Sequence, residues 1–256
     1  MSMKSLAVLS LGVLPFVACG GGEPTKTESA PTTEAPKADA APAASAGSAS
    51  VSGKISFEGT PAPAEKVKLT ADAKCAEMHK DGLVRQQIKV KDGGLAEVLV
   101  YVKSGLPGTY PPPEEPVLLD QNGCDYLPHM VAMVAGQKLK IRNSDDTLHN
   151  IHPRPQVNTE FNQGQAKKGM EMQKLFDKPE LLIPVGCDVH PWMRAYISVL
   201  SNPFFAVTGE DGSFEIKGLP AGEYEIEAAH GKLKTMSSKV TVKDGEAAKL
   251  SLTFKG

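Results

Sequence analysis

A cysteine, a histidine three residues on and a methionine three further share one short segment, Gly186-Cys187-Asp188-Val189-His190-Pro191-Trp192-Met193. The apolar run Leu181-Leu182-Ile183-Pro184-Val185 precedes it and Tyr196 to Leu200 follows, so the segment reads as a tight loop between two strands. Such a loop brings a thiolate, an imidazole and a thioether toward one point. Upstream, Asn143-Ser144-Asp145-Asp146-Thr147-Leu148-His149-Asn150 ends another strand, and His149 there can supply a second imidazole. His152 competes for that role; strand alternation puts positions 149 and 151 on one face and 152 on the other. Two imidazoles, one thiolate and a weak axial thioether form the trigonal set that selects a mononuclear blue copper ion. The sulfur ligands suit Cu(I), the imidazoles suit either state, and a cage between their preferences moves little when an electron passes. Four ligands leave no position for a substrate, and no Ser-His-Asp set or paired-carboxylate motif is apparent. The expectation is therefore electron transfer and not an enzyme.

The elements that must position these residues are strands. The 256 residues include 24 Gly and 20 Pro but only 5% aromatics, which suits short strands and turns better than a helical bundle. Apolar and polar residues alternate in Val51 to Phe57, Val98 to Val102, Lys138 to Ile141, Tyr196 to Val199, Phe214 to Ile216, Tyr224 to Ile226 and Val240 to Val242. Turn signals bound these runs at Asp92-Gly93-Gly94, Ala135-Gly136, Asp211-Gly212, Pro220-Ala221-Gly222 and Asp244-Gly245. The fold class expected is all-β, an antiparallel sandwich. With 28 Lys and Arg against 30 Asp and Glu, the net charge of −2 disfavours binding nucleic acid by phosphate neutralisation. After the first segment no apolar run approaches the roughly 20 residues that a membrane helix needs.

That first segment reads as an address. Lys4 supplies a positive start and Leu6 to Val17 an apolar stretch too short to span a bilayer, ending at Ala18-Cys19-Gly20. The run Phe16-Val17-Ala18-Cys19 resembles the lipobox of bacterial lipoproteins. This resemblance implies that residues 1–18 are removed, that Cys19 carries lipid and, since no Asp follows Cys19, that the protein faces the periplasm from the outer membrane. Glu23 to Ser50 contains only Ala, Pro, Ser, Thr, Gly, Glu, Lys and Asp. Residues 19–50 are accordingly expected to be a disordered tether, too poor in apolar surface to offset the entropy of ordering.

Two family resemblances organise the remainder. Val207 to Tyr224, with its Asp211-Gly212 and Pro220-Ala221-Gly222 turns, resembles the transthyretin-like sandwich of carboxypeptidase regulatory domains; strands like Val51 to Ile55 and Val98 to Val102 precede this hairpin in that family. The economical arrangement is one sandwich from residues 51–104 plus 205–256, with residues 105–204 inserted as a second domain. The inserted part resembles the cupredoxins, with the Cys-x-x-His-x-x-Met spacing of the amicyanin and plastocyanin-like proteins, and Tyr126 to Asp145 is similar to the strand, turn and strand before their first ligand. The resemblance implies a Greek-key sandwich holding one type 1 copper. His149, Cys187, His190 and Met193 would be its ligands, the family pattern favouring the His before Asn150, and Asn150 the backbone donor beside the sulfur. Pro191 stiffens the loop. Trp192 reads equally as core packing or as an apolar docking patch beside His190. An electron carrier of this kind implies a redox partner such as a cytochrome c or a membrane oxidoreductase. The same ligands would also serve a copper storage or delivery lipoprotein, and a structural surface lipoprotein would bind no stoichiometric metal.

With Cys19 assigned to lipid and Cys187 to copper, Cys75 and Cys124 remain as an even pair, for which a disulfide is expected in an oxidising compartment. A second metal site is the alternative, because His79 follows Cys75 by four and His129 follows Cys124 by five. His230 reads as a solvated or capped surface histidine, and Met170-Glu171-Met172 as a loop with incidental methionines.

Overall fold

The computed structural model describes residues 47–69 and 72–256. The expected leader at 1–18, the lipidated Cys19 and most of the 19–50 tether lie outside the described residues. The chain first forms β1 (Ala49–Glu58), β2 (Glu65–Val67), a single short helix α1 (Ala73–Met78), β3 (Leu83–Arg85), β4 (Val90–Lys91), β5 (Gly94–Leu95) and β6 (Leu99–Ser104). A second stretch forms β7 (Val117–Gln121), β8 (Tyr126–Leu127), β9 (Met130–Val134), β10 (Lys138–Asn143), β11 (His149–Pro153), β12 (Gln163–Gln165), β13 (Glu171–Leu175), β14 (Glu180–Gly186) and β15 (Arg194–Leu200). The last forms β16 (Phe205–Val207), β17 (Ser213–Leu219), β18 (Gly222–Ala229), β19 (Met236–Val242) and β20 (Ala247–Lys255). Among the described residues the fold is thus all-β apart from one helical turn and a half, but its sheets are mixed and not purely antiparallel, because β1 pairs in parallel with β20, β7 with β10 and β9 with β15. Among the described residues no helix is long and apolar enough to cross a membrane.

The first and last stretches build two facing sheets. In one, β1 lies between β17 and β20, with β5 and β4 continuing the sheet; in the other the order is β16-β6-β18-β19. Val51, Ile55 and Phe57 from one sheet meet Val98, Val100, Val102 and Ile226 from the other in a common apolar core. The period-two pattern is what turns these residues to one side. Gly53 interrupts the pattern for a steric reason: a Cβ there would lie 1.6 Å from the Leu250 carbonyl oxygen of the neighbouring, parallel β20. The strand also starts two residues before the alternation marks it, because Ala49 and Ser50 already pair with Leu219 and Lys217.

The middle stretch builds a second pair of sheets, β13-β10-β7-β8 and β12-β11-β14-β15-β9. Leu119, Tyr126, Leu139 and Ile141 of one meet Val131, Ile151, Ile183, Val185 and Ile197 of the other, and Cys187 and Met193 belong to the same core. Two strands serve two cores. In β6, Val100 and Val102 point into the first core while Leu99 and Tyr101 point the other way, where they pack with Met130 and Leu200. In β15, Ile197 and Val199 face the second core and Leu200 faces this junction. Near-continuous apolar runs in β6 and β15 follow from that double burial.

A small appendage completes the architecture. The β2–β3 hairpin flanks α1, and Leu69 and Cys75 pack with Cys124 and the edge of Trp192. Asp72 caps α1: its Oδ1 accepts from the N–H groups of Lys74 at 2.7 Å and Cys75 at 3.0 Å. Cys75 is disulfide-bonded to Cys124, which fixes α1 against the turn before β8.

Candidate metal centre

Residues 187–193 form the loop between β14 and β15, whose ends pair antiparallel through Gly186 and Arg194. The loop closes on itself: Cys187 N–H donates to Met193 O at 3.3 Å, and Met193 N–H to His190 O at 2.9 Å. A Cys, a His and a Met at three-residue spacing therefore face inward over one turn. All three are buried, as is His149 at the start of β11. Asn150 secures the loop from the neighbouring strand, its Oδ1 accepting from Asp188 N–H at 2.7 Å and Val189 N–H at 3.3 Å. The buried Tyr126 hydroxyl donates to Asn150 O at 2.5 Å and to Gly186 O at 3.1 Å, tying the two ligand-bearing strands together.

The structure brings His149, Cys187 and His190 together, with their ligating atoms within 4.8 Å of one another. His149 Nδ1 and His190 Nδ1 face each other at 2.9 Å, and Cys187 Sγ lies 3.9 Å from His190 Nδ1. Each ring's other nitrogen meets a carboxylate: His149 Nε2 is 2.9 Å from Asp145 Oδ2, and His190 Nε2 is 3.1 Å from Asp72 Oδ2. Nε2–H groups that donate to carboxylates leave both Nδ1 lone pairs pointed at one place beside a sulfur. Lone pairs so placed repel unless a cation lies among them, either a shared proton or a metal. The donor set of two imidazoles and a thiolate fits copper.

Electrostatics agree with that. Burial pushes the Cys187 thiol up, but hydrogen bonds involving His149 and His190 and the backbone of Asn150 and His190 outweigh it and hold the thiol down at about 6. Burial lowers His149, and the contacts with Asp145 and Cys187 overcome this and raise it. Asp145 is raised by burial but held below the usual carboxylate range by His149 and by the N–H groups of Cys124 and Gly123. Met193 is fully buried in the core that holds Cys187.

His152 lies apart from the cluster. It is half-buried, with Nδ1 3.0 Å from Asp188 and Nε2 2.7 Å from Glu160, in a polar rim that also holds Arg154 and Asn162. The Trp192 ring packs tilted against His190 at 5.0 Å between centroids, its Nε1–H donates to Cys124 O at 3.1 Å, and it is half-exposed. It borders a cavity of about 1070 Å³ whose walls include Lys66 and Arg194, with Arg85 paired to Asp125 and Arg154 to Asp188. Pro191 is exposed beside it, its carbonyl accepting from Arg194 Nε–H at 3.1 Å.

The other titratable candidates are placed differently from the cluster. With Cys75 and Cys124 joined, their sulfurs make no second metal site with nearby histidines. His79 Nε2 sits 2.7 Å from Gly123 O, and His129 lies between Glu97 and Asp125. His230 is corrected from a surface residue to a buried one, 3% exposed, because the strand it follows, β18, sits in the middle of its sheet; burial lowers its pKa. Met172 stands in β13 opposite Ile141 and packs against the second core. Two carboxylates, Asp72 and Asp145, were not singled out as site residues from sequence. Asp145 carried a signal, four residues before His149 in an Asn-x-Asp turn where its N–H donates to Asn143 Oδ1. Asp72 carried none beyond helix capping.

No family model matches the sequence, and no curated protein matches it. Solved structures similar to part of the chain include copper proteins. They include a copper-containing nitrite reductase (NirK) from Thermus scotoductus SA-01, at 20% identity over 40% of this chain and 26% of that one, TM-score 0.33. A Cu(I) structure of an amicyanin point mutant matches at 20% identity over 33% of this chain and 82% of that one, TM-score 0.30. A purple cupredoxin from Nitrosopumilus maritimus matches at 18% identity over 34% of this chain and 100% of that one, TM-score 0.29. This chain thus spans 26% of the nitrite reductase's length.

Proposed function

We propose that this chain is an electron-transfer protein holding one copper ion in a type 1 site. His149 and His190 would hold it through Nδ1, Cys187 through its thiolate, and the buried Met193 would add a thioether. The observation that carries this reading is the pair of Nδ1 atoms facing each other at 2.9 Å, with both Nε2 atoms committed to carboxylates and a thiol held near 6 beside them. When bound, copper supplies a reversible one-electron couple at that point. The chain's own residues do the rest. Asn150 and Tyr126 hold the loop and strand in register, and burial of both imidazoles excludes water.

Full burial of both imidazoles also favours a carrier over a delivery protein, which must offer its ligands to an acceptor. The electron route in this reading runs through Trp192, stacked on His190 and reaching the cavity. Beyond the paired groups the walls keep Lys66, Lys68, Arg194 and Lys232 against Glu65, an excess that suits an acidic face on a redox partner such as a cytochrome c or a membrane oxidoreductase. In the same reading Cys19 carries a lipid that anchors the body to the outer membrane through the segment before β1, four residues shorter than the expected 19–50 tether because Gly47 to Ser50 already pair with the sheet. Residues 51–104 plus 205–256 act as a transthyretin-like scaffold carrying a copper domain at 105–204. Metal analysis tests the centre: one copper per purified chain, and none retained by Cys187→Ser after dialysis against a mild chelator, is the expected result. Equal copper in both proteins would remove Cys187 from the site.

A further inference from the structure

Asp72 precedes His190 by 118 positions, yet its Oδ2 is 3.1 Å from His190 Nε2. Its own shape explains how one side chain does two things. Oδ1 accepts from the N–H groups of Lys74 and Cys75 and so caps α1, while Oδ2 accepts from Thr147 Oγ1–H at 2.8 Å and faces the imidazole. On the other side of the centre, Asp145 repeats the arrangement. Its Oδ1 accepts from Gly123 N–H at 2.8 Å, and its Oδ2 accepts from Cys124 N–H at 2.7 Å and faces His149 Nε2 at 2.9 Å. Each carboxylate thus accepts from the backbone N–H of one half of the Cys75–Cys124 disulfide. The bond between those cysteines joins the two carboxylates into one frame behind the two rings. Cys75 Sγ itself lies 3.8 Å from His190 Nε2, so α1 covers the outer edge of that ring, and His190 is fully buried as a result.

We propose that Asp72 is the positioning residue for His190. Delivered by α1 and the disulfide, it fixes the His190 tautomer with the proton on Nε2, turns Nδ1 toward Cys187 and His149, and closes the ring edge against solvent. The proposal rests on the copper reading for its consequence but not for its geometry. A carboxylate accepting from a ligand imidazole raises that ring's basicity and holds its orientation, and loss of such a partner commonly weakens metal binding by about 10- to 100-fold. A negative partner also stabilises the more highly charged oxidation state, so removing it raises the reduction potential.

The test uses Asp72→Asn and Asp72→Ser in the full chain. Asn and Ser both remain good helix caps, whereas neither offers His190 a carboxylate. Thr147→Val is the control, because it removes a neighbour of the same Oδ2 and leaves the His190 contact. In the metal-free proteins, nitrogen NMR of the His190 ring is expected to show Nε2 protonated and slow to exchange in the wild type and in Thr147→Val. In both Asp72 variants that protected proton is expected to be lost. With Cu(II) added, both variants should bind about 10- to 100-fold more weakly and show a higher reduction potential, with the thiolate-to-copper band retained. An unchanged His190 ring signal and unchanged copper affinity in both Asp72 variants would overturn the proposal. A wild type that binds no copper would overturn the proposed function instead, and the metal-free ring signal would still decide the role of Asp72.

Discussion

His149 Nδ1 and His190 Nδ1 face each other across 2.9 Å in the interior of a β-sandwich, each ring anchored at its far nitrogen by a carboxylate. In the proposed centre these two buried imidazoles would be half of the ligand set, and Cys187 would supply a third member. The expected consequences concern the sulfur, the choice of imidazole, the disulfide frame, the polar cluster lining the cavity and the ring packed against His190.

Cys187→Ser replaces a soft thiolate by a hydroxyl that stays protonated. The charge-transfer absorption of the copper protein is expected to vanish while the sheet content seen by circular dichroism is kept, since Cys187 sits at a loop and not within a strand. A coloured, fully loaded variant would remove the sulfur from the site.

His149→Ala and His152→Ala separate the two candidate imidazoles. Only the first is expected to lose the blue spectrum, because His149 meets His190 and His152 meets Glu160 and Asp188. The reverse pattern would show that β11 presents its other face to the metal.

Replacing Cys75 and Cys124 together by Ala opens a loop with a sequence separation of 49. Chain-entropy reasoning gives a stability loss of roughly 4 kcal/mol, with about 2 as a lower bound where the unfolded chain keeps some structure. Urea unfolding reads this directly. Faster loss of copper, measured below the unfolding transition, is expected as well, because α1 then no longer holds Asp72 against His190.

The cluster of Glu97, His129 and Lys89 gives a pH signature of its own. Burial raises Glu97, but His129 at 2.8 Å and Lys89 at 2.7 Å outweigh it and hold the carboxyl at about 2. Because the folded value lies below the unfolded one, this stabilisation is complete above the ordinary carboxylate range and is lost as pH falls toward about 2. A shift of this size corresponds to about 3 kcal/mol. His129 moves the other way: burial lowers it, and Asp125 and Glu97 outweigh burial and raise it. Its contribution is complete below the ordinary histidine value and fades as pH rises through the raised folded one. Metal-free protein is therefore expected to lose stability on both sides of mildly acid pH. Glu97→Gln should flatten the acid arm, and an unchanged profile in that variant would place the origin elsewhere.

Trp192→Leu keeps an apolar side chain but removes the ring stacked on His190. Electron exchange with an added acidic redox protein is expected to slow while the optical spectrum persists, because the proposed path runs through this aromatic contact and the ring is not among the proposed ligands. An unchanged rate would move the route to another edge of the centre.

Much of this was legible in the sequence because the signals are local. Period-two alternation in Val51 to Phe57 and Tyr196 to Val199 marks strands, and the Gly-containing turns mark their ends. The three-residue spacing of Cys187, His190 and Met193 survives folding because a tight loop keeps neighbours together. Alternation also separated His149 from His152, since one face of β11 turns to the core. What stayed hidden depends on contacts far apart in the chain. Asp72 reaches His190 only through α1 and the disulfide, and nothing near position 72 marks it as more than a helix cap. His230 looked exposed because burial of a strand end depends on which neighbours flank its strand.

The measurement that bears most directly on the centre is the visible absorption spectrum of the purified chain after one equivalent of Cu(II), followed by ascorbate and then a mild oxidant. An intense blue to green band that bleaches on reduction and returns on oxidation is the expected result, because in the proposed centre a thiolate and two imidazoles would hold copper in a cage suited to both states. Copper bound without that band, or no copper bound at all, would contradict the assignment of His149, Cys187 and His190 as a type 1 centre.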